Sequence, residues 1–147
     1  MSHKFDFDLT NKVIRAQVEG IVTDESLKEY YASASRLGRL NPTFSGICDM
    51  SAVSFVAISS QTIRALAKLP PAVPNPEIPR CIVAGSPAMF GLARMFELEG
   101  GATRPNLHVV RSEREAFAIL GIVKPRFGSV EPGQESGRQA RSIKGTC

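Results

Sequence analysis

The sequence predicts a single α/β domain, with a mixed, mostly parallel sheet of five strands covered by about four helices. Two observations support this fold class. Short apolar runs of strand type alternate with segments of helical periodicity, and helices connect the successive strands after the first pair. A helical crossover joins strands that run parallel, whereas a tight turn joins antiparallel ones. The length of 147 residues suits one such domain.

The chain opens on two alternating strands. Apolar residues alternate with aspartate from Phe5 to Leu9, and a period of two returns from Ile14 to Gly20. The short polar turn between them predicts an antiparallel hairpin. Thr23 or Asp24 can then cap a first helix, which Gly38 is expected to end.

A second strand–helix unit follows around the stretch CDMSAVSFVAISSQTIRALA, residues 48–67. The apolar run 44–50 predicts the strand, and a helix with one apolar face is predicted to run to Leu69. Residues 70–79, PPAVPNPEIP, can be neither helix nor central strand and form a linker. The remaining predicted elements are a strand at 80–85, a helix opened by Ser86-Pro87, a strand at 107–110, and a helix from the capping box of Ser112 and Glu115 to Gly121.

Most of the net charge of +4 lies in the C-terminal segment. Residues 1–121 hold 13 basic and 12 acidic side chains, whereas residues 122–147 hold 5 and 2. Since this segment is also rich in glycine, serine and glutamine, we predict a domain at 1–121 and a basic tail with little fixed structure at 122–147. The domain shows no phosphate-binding face, so no nucleic-acid partner is expected.

Several classes of protein are disfavoured by what the sequence lacks. No segment approaches the roughly 18 apolar residues of a membrane span, and the N-terminus has no apolar core of a signal peptide. Cys48, Cys81 and Cys147 have neither metal-ligand nor disulfide-framework spacing. We therefore expect a cytoplasmic protein without a metal or other cofactor.

The sequence also gives no support for catalysis. GxGxxG, GxxxxGK[ST], HExxH and GxSxG are all absent. His3 is placed at a mobile N-terminus and His108 in the last strand, and no nucleophile has an identifiable base beside it. A protein that is not an enzyme is the favoured interpretation.

Ser59 and Ser60 are the first candidate functional residues. As an N-cap, Ser59 would accept a backbone N–H from Thr62 or its neighbour, with Ile58 and Ile63 packed across the cap as a hydrophobic staple. A helix N-terminus also favours a phosphate group. The residues favour the cap and leave the phosphoacceptor role open.

Phe90, Arg94 and Met95 form a second candidate site, in the segment SPAMFGLARMFE. Phe90 and Arg94 are four residues apart and lie off the apolar stripe of the helix. One interpretation is a partner or ligand surface that includes the adaptable Met95. The other is that Phe90 is partly buried and Arg94 is solvated.

With these segments in view, residues 4–121 resemble the SpoIIAA-like branch of the STAS superfamily, the anti-sigma-factor antagonists. The resemblance rests on the order of elements and on VEGIVTDESL (18–27), CDMSAVSFVAISS (48–60) and FGLARMF (90–96). It implies a STAS-like fold, whose architecture is shared with CRAL-TRIO lipid-binding domains. In such regulators a partner kinase phosphorylates a serine in an Asp-Ser-Ser-Gly motif. Here Ile58, Ser59, Ser60 and Gln61 stand at those positions, so that Ser59 matches the phosphoacceptor.

Two functions follow from this resemblance as expectations. The first is a non-catalytic regulatory domain that binds a protein partner through the surface around Ser59. The alternative is a binding domain for an apolar small molecule or lipid, with Phe90, Met95, Phe96 and the tyrosines lining the pocket. A homodimer is compatible with either expectation.

Overall fold

The computed structural model describes residues 1–133, and the elements within them follow the predicted order. The strands are β1 (Ser2–Asp8), β2 (Val13–Thr23), β3 (Ser45–Ala57), β4 (Arg80–Val83) and β5 (Leu107–Val110). The helices are α1 (Asp24–Leu40), α2 (Ser60–Ala67), α3 (Pro87–Gly100) and α4 (Glu113–Leu120), and a 3-10 turn follows α3 at Gly101–Thr103. No helix in this part of the chain is long and apolar enough to cross a membrane.

The five strands form one sheet in the order β1-β2-β3-β4-β5. β1 pairs with β2 antiparallel, and the other three pairs are parallel. This arrangement follows from the connections, because only β1 and β2 are joined by a tight turn. The predicted fold class is confirmed.

The sheet has two unequal faces. The helices α1, α2 and α3 cover one face, where the larger hydrophobic core includes Val18, Tyr30 and Met89. The helix α4 covers the other face over a smaller core that includes Val13 and Val83. The two faces are named below the three-helix face and the α4 face.

Four hydroxyl side chains cap the four helices at their N-termini. Thr23, Ser59, Ser86 and Ser112 each accept a hydrogen bond from the backbone N–H three residues on. The reciprocal capping box, however, occurs at Thr23 and not at Ser112. The Glu115 carboxylate accepts from the backbone N–H of Arg111, so the prediction of a box at Ser112 was wrong in this detail.

Gly38 does not end α1, which continues to Leu40. Its role is close packing, since a Cβ atom at this position would lie 1.7 Å from the carbonyl oxygen of Ala72 in the proline-rich linker. The prediction that Gly38 ends the first helix was therefore wrong. Glycine at this position lets the linker pass directly over the helix.

The strands β2 and β3 extend well beyond the rest of the sheet. β3 was predicted to stop at Met50 but continues to Ala57, and two register shifts interrupt its pairing with β2. β4 pairs only with Gly46–Asp49 of β3, which leaves an arm of two strands. Ile21 and Phe55 are register partners on this arm, and both side chains are exposed.

The predicted tail begins at Ile122, and its first residues pack against the domain. Ile122 is buried in the smaller core, and Gly128 exchanges backbone hydrogen bonds of 2.8 and 2.9 Å with Phe7. Residues 122–128 thus continue the α4 face. Residues 134–147 of the predicted tail lie outside the described residues.

Candidate functional site

Ser59 closes the N-terminus of α2. Its Oγ accepts a hydrogen bond of 3.2 Å from the backbone N–H of Thr62, which satisfies one of the free donors of the first turn. Ile58 and Ile63 both pack in the larger core, as a hydrophobic staple requires. The cap that the sequence predicted at Ser59 is therefore present in the structure.

An acidic residue from a distant part of the sequence also binds Ser59. The Asp24 carboxylate accepts the Ser59 backbone N–H at 2.8 Å through Oδ1 and the Ser59 hydroxyl at 2.9 Å through Oδ2. Asp24 is the first residue of α1, so the contact joins the N-termini of α1 and α2. The hydrogen bond from the Ser59 backbone holds the pKa of Asp24 below its ordinary value.

Sequence reasoning missed this contact because Asp24 precedes Ser59 by 35 residues. An Asp-Ser-Ser-Gly motif would place the acid next to the serine, whereas Ile58 stands there in this chain. The acid comes instead from the residue that follows β2, because the end of β2 lies beside the end of the parallel strand β3. Two neighbouring parallel strands bring their carboxyl ends to the same edge, which is the signal that could have revealed the pair.

The hydroxyl of Ser59 is half-buried, and Ser60 beside it is exposed as the first residue of α2. A phosphate on Ser59 would meet opposing influences. The free N–H groups and dipole of α2 favour the added charge. The Asp24 carboxylate, which now accepts the hydroxyl proton, would repel it.

Exposed apolar side chains lie close to this helix mouth along the chain. Ile21 precedes Asp24 by three residues and is 53% exposed, while Phe55 precedes Ser59 by four residues and is 62% exposed. Their positions are paired across β2 and β3. This edge of the sheet thus places two exposed apolar side chains near the Asp24–Ser59 hydrogen bonds, and aromatic side chains such as Phe55 are enriched at protein interfaces.

The residues Phe90, Arg94 and Met95 lie on α3, which packs against α2. Phe90 is half-buried beneath the guanidinium group of Arg111, whose central carbon is 4.0 Å from the ring centroid. Arg94 is exposed and pairs with Glu97 of the same helix. Met95 packs partly buried against the larger core. The partner or ligand surface assigned to these three residues stays a prediction.

A cavity of about 150 Å³ lies on the three-helix face. Phe96, Tyr30 and Tyr31 contribute to its lining, as the interpretation of an apolar pocket required, but Phe90 and Met95 do not. Sequence reasoning missed two cationic residues of the lining, Arg80 and Arg104. Other lining residues include Phe5, Leu27, Cys48, Met50, Ile63, Leu66, Met89 and Leu92.

Cys48, Cys81 and His3, three residues of types that often serve in catalysis, lie in apolar or aromatic surroundings. Burial raises the pKa of the Cys48 and Cys81 thiols to about 12, so neither is an available thiolate. The prediction of a mobile His3 was wrong, because this residue lies in β1 with its ring edge-on to Phe5 and Tyr30. Within residues 1–133, no group of three or more His, Cys, Asp or Glu side chains could hold a metal ion.

A charged cluster occupies the α4 face. The Arg15 guanidinium holds Asp6 through Nε at 2.9 Å and Nη2 at 2.7 Å, and binds Glu113 through Nη1 at 3.0 Å. Burial and a hydrogen bond with Asp49 raise the pKa of Glu113 to about 7. Arg15 also lies 3.9 Å from the ring centroid of Phe127. The cluster therefore ties α4 and the C-terminal segment to the sheet.

Comparison with known proteins gives a relationship at the level of structure. No protein-family model and no curated protein matches the chain. A solved structure, that of the anti-sigma factor antagonist SpoIIAA in its unphosphorylated form, is similar with a TM-score of 0.55 and 13% sequence identity. The match covers 84% of this chain and 100% of the SpoIIAA chain. The chain therefore has the STAS fold of SpoIIAA, which is the fold that the resemblance predicted.

Proposed function

We propose that this chain is a non-catalytic, cytoplasmic regulatory domain that acts by binding a protein partner, as an antagonist of the SpoIIAA type does. The observation that carries the proposal is the Asp24–Ser59 pair at the mouth of α2, at the position of the regulatory serine in the resemblance. The shared fold supports it. The binding surface consists of Ser59, Ser60, Asp24, Ile21 and Phe55.

This surface suits a switchable interface. Apolar side chains supply contact area, and the half-buried Ser59 hydroxyl is held in one orientation by Asp24 and α2. A negative charge on Ser59 would break the contact with Asp24 by repulsion. Binding to the partner would then depend on the charge at a single hydroxyl.

Affinity capture with matched variants tests the proposal. The immobilised full chain is compared with Ser59→Asp and with Ser129→Asp, and the retained proteins are quantified by mass spectrometry. Ser129 follows Gly128, which pairs with Phe7 at the opposite end of the sheet, so this variant adds the same charge away from the proposed surface. We expect a partner whose retention falls at least tenfold with Ser59→Asp and stays unchanged with Ser129→Asp.

The captured partner is then purified and titrated against Phe55→Ser, which should weaken binding because it removes exposed apolar area from the surface. Binding that is equal for wild type, Ser59→Asp and Phe55→Ser would exclude this surface. Steady turnover of a substrate by the purified chain would contradict the non-catalytic assignment.

A second candidate function is the binding of a small apolar molecule, and the cavity on the three-helix face favours it. An apolar cavity of about 150 Å³ holds a molecule the size of benzene, whereas drug-sized ligand pockets span roughly 300–1,000 Å³. The volume thus suits a compact molecule better than the acyl chain of a lipid. Native mass spectrometry of the purified chain should show a co-purified compound that denaturation releases.

A further inference from the structure

Arg80 is a buried cation with most of its hydrogen-bonding capacity unused. Arg80 is the first residue of β4, and its side chain lies on the three-helix face, where it lines the cavity. The residue is 6% exposed. Nη1 donates to the carbonyl oxygen of Val73 at 2.6 Å, but Nε and Nη2 are buried without a partner in the described part of the chain. A buried charge with unmade hydrogen bonds is strongly unfavourable unless a ligand or another group completes it.

A second buried cation, Arg104, lies in the same cavity lining, and it forms several hydrogen bonds. Arg104 donates to the carbonyl oxygen of Ala67 at 2.6 Å and to the Tyr31 hydroxyl at 2.8 Å, and its guanidinium lies over the Phe96 ring. Burial and the charge of Arg104 lower the pKa of Arg80. Among residues 1–133, no carboxylate forms an ion pair with either arginine, so this end of the cavity is positive and lacks a counter-charge.

The geometry of the unused donors of Arg80 indicates which kind of acceptor would bind them. Nε–H and one Nη–H of a guanidinium form a fork that matches the two oxygens of a carboxylate. This chain uses that fork elsewhere, because Arg15 holds the Asp6 carboxylate through Nε and Nη2. In Arg80 the same two nitrogens have no hydrogen-bond partner among residues 1–133.

We propose that the cavity binds a small apolar carboxylate, whose two oxygens accept hydrogen bonds from Nε and Nη2 of Arg80. The body of the ligand contacts apolar lining residues such as Phe5, Tyr30 and Phe96. The volume of about 150 Å³ suits an acid with one benzene-sized or short branched group. This inference rests on the second candidate function, that the cavity takes a compact apolar molecule.

Calorimetric titration of the purified full chain with four probes tests the inference. Benzoate combines the charge with the apolar body, benzamide keeps the body without the charge, and acetate and inorganic phosphate keep a charge without the body. We expect benzoate to bind at least tenfold more tightly than each of the other three. Equal affinity for benzamide would overturn the carboxylate assignment while leaving the second candidate function intact, and binding of none of the probes would contradict both.

Two variants identify the site. Arg80→Met should weaken benzoate binding at least tenfold and leave benzamide binding unchanged. Ala34→Leu, which fills the cavity from α1 while keeping Arg80, should weaken benzoate and benzamide alike. Undiminished benzoate binding in Arg80→Met would overturn the proposal. As a test that needs no variant, the Nε–H signal of Arg80 in the wild-type chain should shift on addition of benzoate and not of acetate.

Discussion

Each face of the sheet holds an arginine that is largely shielded from solvent, and these two arginines, Arg15 and Arg80, differ in what surrounds them. On the α4 face, Arg15 holds Asp6 and Glu113, and the hydrogen bonds that Arg15 donates to Asp6 raise the pKa of Arg15. On the three-helix face, Arg80 has one carbonyl partner, and burial beside Arg104 lowers its pKa. Burial of a cation thus serves stability where carboxylates accompany it. Where they are absent, it marks a site that an anion can complete.

The largest loss of stability is expected for Arg15→Met. The substitution leaves Asp6 and Glu113 without their counter-charge beside a third carboxylate, Asp49. We expect the free energy of unfolding, measured with urea, to fall by about 2–4 kcal/mol. The control is Arg64→Met, which removes an exposed ion pair with Glu99 and should cost less than about 1 kcal/mol. Equal losses in the two variants would contradict the contrast between a part-buried cluster and a surface pair.

The same cluster predicts a pH dependence of stability. The pKa of Glu113 is raised to about 7 in the folded chain, chiefly by burial and then by its hydrogen bond with Asp49. Between its unfolded value, about 4.3, and pH 7, the folded state therefore binds the extra proton. The raised pKa of Glu113 stabilises the folded state fully below about pH 4.3, and this stabilisation is lost as the pH rises to about 7. The loss is on the order of 1–3 kcal/mol.

Urea unfolding at several pH values checks this dependence, with Glu113→Gln, which carries no titratable group at position 113, as the control. The groups that face Glu113 are Arg15 on β2 and Asp49 on β3, and Asp6 on β1 acts through Arg15. Wild type should lose stability across the window, and the variant should show a flatter curve. Identical curves would show that Glu113 has an ordinary pKa.

A smaller effect is expected at the mouth of α2. Ser59→Ala removes the cap and the hydroxyl bond to Asp24, so the free energy of unfolding should fall by about 1 kcal/mol. Ser60→Ala, at the neighbouring exposed position, should change it by less than about 0.5 kcal/mol. Thermal or urea unfolding of the two variants provides the measurement. A larger loss at Ser60 would show that the cap lies one residue later.

The sequence predicted features that depend on local pattern. The order of elements, the parallel sheet and the caps at Ser59 and Ser86 follow from periodicity and from residue types next to each other in the chain. It did not predict the lengths of β2 and β3, because their extension relies on pairing with each other beyond the rest of the sheet. Local propensity contains no information on where a partner strand ends.

The functional groups that were missed arise from long-range contacts. Asp24 meets Ser59, and Arg104 meets the C-terminal carbonyls of α2, only after the sheet has formed. Arg80 reads in the sequence as the polar start of a strand. Its burial and its unused nitrogens become visible only when the linker and the helices cover it.

Arg80→Met is expected to cost far less stability than Arg15→Met, and the sign of its effect tells whether the two arginines differ. The substitution frees the carbonyl of Val73, which costs about 1 kcal/mol, but removes a buried charge whose Nε and Nη2 lack partners. These effects oppose each other, so the free energy of unfolding should stay within about 1 kcal/mol of wild type or rise. Urea unfolding in buffer without carboxylates measures it. A loss as large as that of Arg15→Met would show that Arg80 stabilises the free protein without a ligand, which would contradict an anion site in the cavity.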